Sequence, residues 1–156
     1  MFTPNVLKSI DNSVLCWLST ASLNGEPNVS PKEVFTTRGK ETLLIANIAS
    51  PQSARNIAEN PKVCVAFVDV LVQKGFQVFG EAQIIKKSAA EFAELGRPLR
   101  EITQERYPFG SIIKINAMKI KPIIAPSYRL YPDTTEEAQV AAAMKAYRFQ
   151  SDDHSG

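Results

Sequence analysis

Histidine is nearly missing: the one imidazole is His154, in the closing stretch SDDHSG. Imidazole activation of a serine or cysteine and HxxxH metal ligation are therefore excluded from the body of the chain. Cysteine is scarce as well. Cys16 and Cys64 lie far apart in apolar, strand-like runs and form no CxxC, so both read as buried, reduced, small apolar side chains. There is no GxxxxGK[ST] and no GxGxxG after a strand, which removes the common nucleotide cradles. Charge of one sign is lacking too. Eighteen Lys and Arg against sixteen Asp and Glu leave a net charge of +2, too little to argue for nucleic acid or a membrane surface as partner. No apolar run approaches the ~18 residues of a membrane span, and MFTPNVLKSIDN has no basic start followed by an apolar core. The expectation is a cytoplasmic protein with no metal. A chain with so few catalytic groups of its own binds something or borrows a cofactor's chemistry.

What is present is a series of short β-rich runs. Strands are expected at 14–21, 28–36, 42–48, 62–70, 76–85 and 111–120, the last extending to 125. Asn24-Gly25 and Arg38-Gly39-Lys40 supply hairpin turns. Ile112, Ile115, Met118 and Ile120 do not alternate cleanly, so the last strand should carry a bulge. Trp17 is expected in the core. A short helix is expected at 6–10. A second runs over 50–59, with Ser50 as cap and Pro51 at the first helical position. A third, at 88–107, is interrupted at Gly96 and Pro98, and a fourth, at 134–148, opens with a Thr134-x-x-Glu137 capping box. The pattern implies a mainly β fold with flanking helices, a six-stranded antiparallel barrel. It would occupy 1–125, with a C-terminal helical extension at 126–150 and a disordered tail at 151–156. Val63, Val65, Phe67, Phe76 and Val78 offer more apolar strand surface than one small barrel needs, and the Ala-rich 138–146 face suits close packing, so a symmetric dimer is expected.

Two features suggest a site. The start of the 50–59 helix offers free backbone N–H groups near Gln52 and Ser53 and a partial positive charge that favours an anion; Arg55 can reach back over it. In NVSPKEVF, a proline and a lysine interrupt the second strand. Pro31 is expected to open the ladder and free the backbone of Ser30 and Lys32, with Lys32 projecting beside the third strand and the helix that follows it. A strand-break lysine near a helix N-terminus makes a plausible phosphate-and-ring site.

The order PNVSPK, a strand ending IAN, SPQSARNIAENPKVCVAF and KGFQVFGEA resembles the FMN-binding split barrel of the pyridoxamine 5′-phosphate oxidase-like superfamily. The likeness runs over 14–85. It implies a homodimer with FMN at the subunit interface and a small-molecule substrate. Ser30, Pro31 and Lys32 would line the isoalloxazine ring, with the Lys32 ammonium near its N1/O2 edge. Ile45, Ala46 and Asn47 would contact the ring or ribityl chain. Gln52 and Ser53 would occupy the phosphate positions, where many relatives have Arg and Lys, with Arg55 one turn on. Lys74 and Gly75 would border the ring from the other subunit, and Tyr128, Arg129 and Tyr131 are substrate-pocket candidates. True oxidases of that name grip pyridoxal phosphate with tryptophan and arginine groups of the C-terminal region; here the only tryptophan is Trp17, and Arg129-Leu130-Tyr131-Pro132 is only superficially similar to that ending, so that activity is not expected. The implied function is an FMN-dependent oxidoreductase. A non-catalytic flavin carrier or electron-transfer protein, and a haem-binding protein on the same barrel, are the alternatives.

Overall fold

The protein, a computed structural model, is described over residues 1–149; the tail expected at 151–156, His154 included, lies outside them. Seven strands form one antiparallel sheet: β1 (Cys16–Ala21), β2 (Pro27–Lys32), β3 (Phe35–Arg38), β4 (Thr42–Asn47), β5 (Lys62–Asp69), β6 (Lys74–Lys86) and β7 (Ser111–Ile124), in the order β2-β1-β5-β6-β7-β4-β3. Five helices flank it: α1 (Pro4–Asn12), α2 (Pro51–Glu59), α3 (Phe92–Thr103), α4 (Pro126–Leu130) and α5 (Glu136–Tyr147).

The mainly β barrel with flanking helices forms, with seven strands instead of six. The stretch 28–36 is not one strand, because Glu33 and Val34 leave the ladder. β2 pairs with β1 and β3 pairs with β4, so two segments separated by two residues end at opposite edges of the sheet. The curled sheet is closed at that joint by the chain itself rather than by a ladder, and this is the split in the barrel. Pro31 is not the break. It pairs with Trp17 inside β2, and an edge strand tolerates proline because one side of its backbone has no neighbour to bond.

The expected bulge is present. Phe79 faces Lys119 but Gly80 faces Ala117, which leaves Met118 as the extra residue on β7. Glycine is required opposite it: a Cβ on Gly80 would stand 2.2 Å from the Asn116 carbonyl oxygen.

The inward positions of the strands fill the barrel with Leu18, Leu43, Ile45, Val63, Val65, Phe67, Val78, Ile113 and Ile115, while Val6 and Ile10 of α1 close it. Each such side chain contributes about 1.5–3 kcal/mol on full burial. The apolar surface of Val63, Val65, Phe67 and Val78, read from the sequence as surplus for an interface, is therefore consumed by the barrel itself. Trp17, expected in the core, is 46% exposed on the outer face, because β1 turns Cys16, Leu18 and Thr20 inward. Cys64 likewise faces outward and is half-buried, whereas Cys16 is fully buried. α3 covers the other face of β4 and β7 with a second core that includes Leu44, Ala46, Leu95, Leu99 and Ile112. It runs unbroken through Gly96 and Pro98, the interruption expected there being overridden by this burial. α5 starts one residue late: Thr135, not Thr134, caps it by accepting from the Ala138 N–H at 3.1 Å. Of its residues only Ala143 is buried.

Candidate functional site

The end of β2 and the start of α2 meet at the joint of the barrel. Lys32 is only 6% exposed there. Its ammonium donates to the Ser50 hydroxyl at 2.5 Å, to the Ser30 hydroxyl, and to the Pro31 carbonyl at 3.3 Å. The two hydroxyls are 3.3 Å apart. The ion pairs among the described residues all lie elsewhere, so this buried charge is met by neutral oxygens alone. Burial pushes the Lys32 pKa down, and the neighbouring Cys16 acts weakly in the opposite direction. Cys16 pairs with Lys32 across the β1–β2 ladder; burial pushes its thiol up to about 12 against a small pull from the lysine.

Ser50 departs from expectation. It precedes α2 at the capping position but makes no side-chain bond to its own helix. A capping bond typically contributes ~1 kcal/mol, and here the hydroxyl is spent on Lys32 instead. The sequence signal for a cap was correct in position and silent about this competitor.

Beside Lys32 lies a cleft of about 470 Å³, within the roughly 300–1,000 Å³ usual for small-molecule sites. Ser30, Lys32, Glu33 and Ser50 give it a polar side, the Glu33 side chain being exposed; Val34, Ala46 and Ile48 give it an apolar one, and Tyr107 also lines it. Tyr107 was not singled out from the sequence. It follows α3 by a few residues, and only the fold brings it back to the joint.

The first turns of α2 form a closed polar network. Arg55 donates to the Gln52 side-chain oxygen at 2.7 Å, and Gln52 donates to Asn56 at 2.9 Å. Asn56 donates to Thr20 at 3.0 Å; Asn28 donates to Thr20 and to Ser53, each at 3.2 Å. Gln52 and Arg55 are exposed, whereas Ser53 is 1% exposed.

The other expected residues are distributed more widely. Ile45 points into the barrel core while Ala46, next along β4, reaches the cleft. Asn47 donates to the Ser111 hydroxyl at 2.9 Å, and its side-chain oxygen is buried without a partner. Lys74 and Gly75 line a separate cleft of about 410 Å³. Lys74 is held there by Glu136 at 2.6 Å and lies 4.2 Å from the centre of the Tyr128 ring; the hydrogen bond to Glu136 raises its pKa. Tyr128 donates to the Val72 carbonyl at 2.8 Å. Arg129 and Tyr131 are exposed, and neither lines the cleft at Lys32.

A family profile described as pyridoxamine 5′-phosphate oxidase matches residues 2–141. The chain belongs to this family. Among solved structures it is similar to HupZ of Group A Streptococcus, with 26% identity and a TM-score of 0.66 over 77% of this chain and 92% of that one. It also shares its fold with an FMN-binding protein from Syntrophomonas wolfei (19% identity, TM-score 0.65, 78% of this chain and 88% of that one). A further likeness of fold is to HutZ, the haem storage protein of Vibrio cholerae (19% identity, TM-score 0.56, 80% of this chain and 95% of that one). None of the curated proteins matches by sequence. For a member of the pyridoxamine 5′-phosphate oxidase family, the donor set at the joint fits the ring of FMN: a cation and two hydroxyls for a polar edge, and aliphatic side chains for a flat face. The α2 end fits a phosphate less well, since its only cation, Arg55, is exposed and already bonded to Gln52.

Proposed function

We propose that the protein is an FMN-binding flavoprotein, an FMN-dependent oxidoreductase of a small molecule, working as a homodimer. The observation that carries the reading is Lys32: a buried ammonium with no ion-pair partner among the described residues, at the lining of a half-polar cleft. A buried charge without a counter-ion is costly, and an electron-rich ligand edge would offset that cost.

Ser30, Pro31, Lys32 and Ala46 would hold the ring, and the first turn of α2 (Gln52, Ser53 and Arg55) would face the phosphate. When bound, FMN supplies electron and hydride transfer. Lys32 fixes a positive charge where reduction would place a negative one, and Ser30 and Ser50 hold that charge in place beforehand, the arrangement that makes electrostatic stabilisation effective. Val34, Ala46 and Ile48 exclude water and strengthen the interaction. Tyr107 borders the cleft in one copy and takes the substrate side. Trp17 and Val29 on the neighbouring strands β1 and β2, exposed by 46% and 57%, and Met118 on β7, exposed by 62%, are apolar side chains that an isologous contact would cover. Through it, the partner subunit's Lys74 and Gly75 would approach the ring, with Tyr128, Arg129 and Tyr131 beyond them.

The test is the visible spectrum and flavin fluorescence of the purified protein, with and without added FMN. Flavin bands and quenching on binding, weakened in Lys32→Met, are expected. A protein that binds no flavin, or whose flavin ignores Lys32→Met, contradicts the reading.

A further inference from the structure

We propose that the flavin-free protein hydrolyses short-chain carboxylic esters in the cleft at the joint, with Ser50 as nucleophile, Lys32 as its general base and Ser30 steadying that base. This activity stands apart from the flavin reading: it uses the same cleft when no ring fills it.

The sequence excludes imidazole activation, and a serine–lysine pair is an alternative found on other folds. A nucleophile and its base must lie within hydrogen-bond reach. Ser50 Oγ and Lys32 Nζ are 2.5 Å apart, Ser30 also touches Lys32, and the two hydroxyls are 3.3 Å from each other. As an ammonium, Lys32 donates to both hydroxyl oxygens. As an amine, it accepts the Ser50 proton across the same contact. Burial without an acid partner favours the amine, and the Lys32 pKa is lowered accordingly. The other titratable groups around it are Cys16 across the ladder, and Tyr107 and the exposed Glu33 on the cleft wall.

Of the two hydroxyls, Ser50 is the nucleophile because of where it stands. It precedes α2 yet makes no capping bond. Pro51 has no N–H, and the Ala54 N–H is bonded to the Ser50 carbonyl at 3.1 Å, so the N–H groups of Gln52 and Ser53 have no intrahelical partner. These are the donors that a capping oxygen would engage, and they are left for the oxyanion of a tetrahedral intermediate built on Ser50. Val34, Ala46 and Ile48 offer a short acyl chain an apolar wall.

In the first step the Ser50 proton passes to Lys32 as Oγ bonds the ester carbonyl carbon. The bond from that carbon to the alkoxide then breaks, and the Lys32 ammonium gives its proton to the departing alcohol. Water, deprotonated by Lys32, attacks the acyl group and releases it as a carboxylic acid, which restores Ser50.

The experiment treats the full chain, freed of flavin, with p-nitrophenyl butyrate and separately with diisopropyl fluorophosphate. Turnover is expected, and so is one diisopropylphosphoryl group per chain, located on Ser50 by mass spectrometry, that abolishes it. Ser50→Ala should remove both. Lys32→Arg keeps the charge but cannot act as a base, and should slow turnover by about a hundredfold or more; Ser30→Ala should slow it less. In the unchanged protein the rate should rise with pH through one titration below 10.5, the ordinary lysine value, and then level off. No label on Ser50, turnover retained in Ser50→Ala or in a folded Lys32→Arg, or a rate still climbing past pH 10.5, overturns the proposal. The pH profile decides even where Lys32→Arg fails to fold.

Discussion

Lys32 carries its charge among two hydroxyls and a carbonyl, and the consequence is measurable in both stability and redox potential. Its pKa is lowered from 10.5 by burial, so the folded chain sheds this proton before the unfolded chain does. Between the two pKa values the unfolded state binds more protons, and the contribution to stability rises with pH across that window. Lys32→Met should flatten this rise and, by removing a buried charge while Ser30 and Ser50 bond each other, raise the melting temperature of the flavin-free protein at pH 7. Each kcal/mol gained corresponds to about 2–4 °C for a chain of roughly this size. In the flavin complex the same substitution should lower the FMN midpoint potential by some tens of millivolts, a charge-assisted contact being worth roughly 1.5–3 kcal/mol and ~1.4 kcal/mol corresponding to about 30 mV. Spectroelectrochemistry checks it; an unchanged potential would remove Lys32 from the ring. The cysteines give a second residue-scale prediction. Cys16 is fully buried with its thiol pushed up to about 12, so a thiol reagent should modify Cys64 alone in the native protein and both after urea, as read by mass spectrometry.

At the scale of elements, the bulge on β7 and the glycine facing it are one unit. Gly80→Ala would force a Cβ to within 2.2 Å of a backbone oxygen, and overpacking of this kind costs typically 1–3 kcal/mol. A lower melting temperature with flavin affinity unchanged at low temperature is the expected result. Ser50→Ala separates capping from positioning: α2 loses no side-chain cap, so the FMN potential should move in the direction of Lys32→Met, and by less. These elements also show what the sequence could convey. Pro51 at the start of α2, Gly25 in its left-handed turn conformation at φ 83° and the irregular spacing around Met118 are local signals, and all three were legible. The break at Glu33-Val34 was not. Pro31 is the residue that looks like a break, and the true division depends on which neighbours β2 and β3 find, β1 and β4, a matter of tertiary pairing. The same applies to Ser50, whose choice between its helix and Lys32 is made by a residue eighteen positions away, and to Tyr107, which no local pattern connects to the joint.

For the whole molecule, the exposed apolar side chains of Trp17, Val29 and Met118 and the homodimer reading predict a dimer by light scattering at micromolar concentration, with Cys64 labelling slowing as concentration rises. A monomer mass with FMN present, or labelling independent of concentration, would contradict it. The joint between β2 and β3 has one more effect. Elsewhere the sheet is held by continuous ladders, but here closure depends on the Ala46 N–H bonded to the Val34 carbonyl at 3.0 Å and on the Lys32–Ser50 contact. Amide hydrogens flanking the joint should therefore exchange with solvent through local openings well before those of β5 and β6. A ligand in the cleft would touch 30–34 on one side and 46 and 48–50 on the other, so it binds only the closed form. By mass action its presence at a hundred times its dissociation constant should slow that exchange by about a hundredfold, making the ligand a clasp for the seam of the barrel.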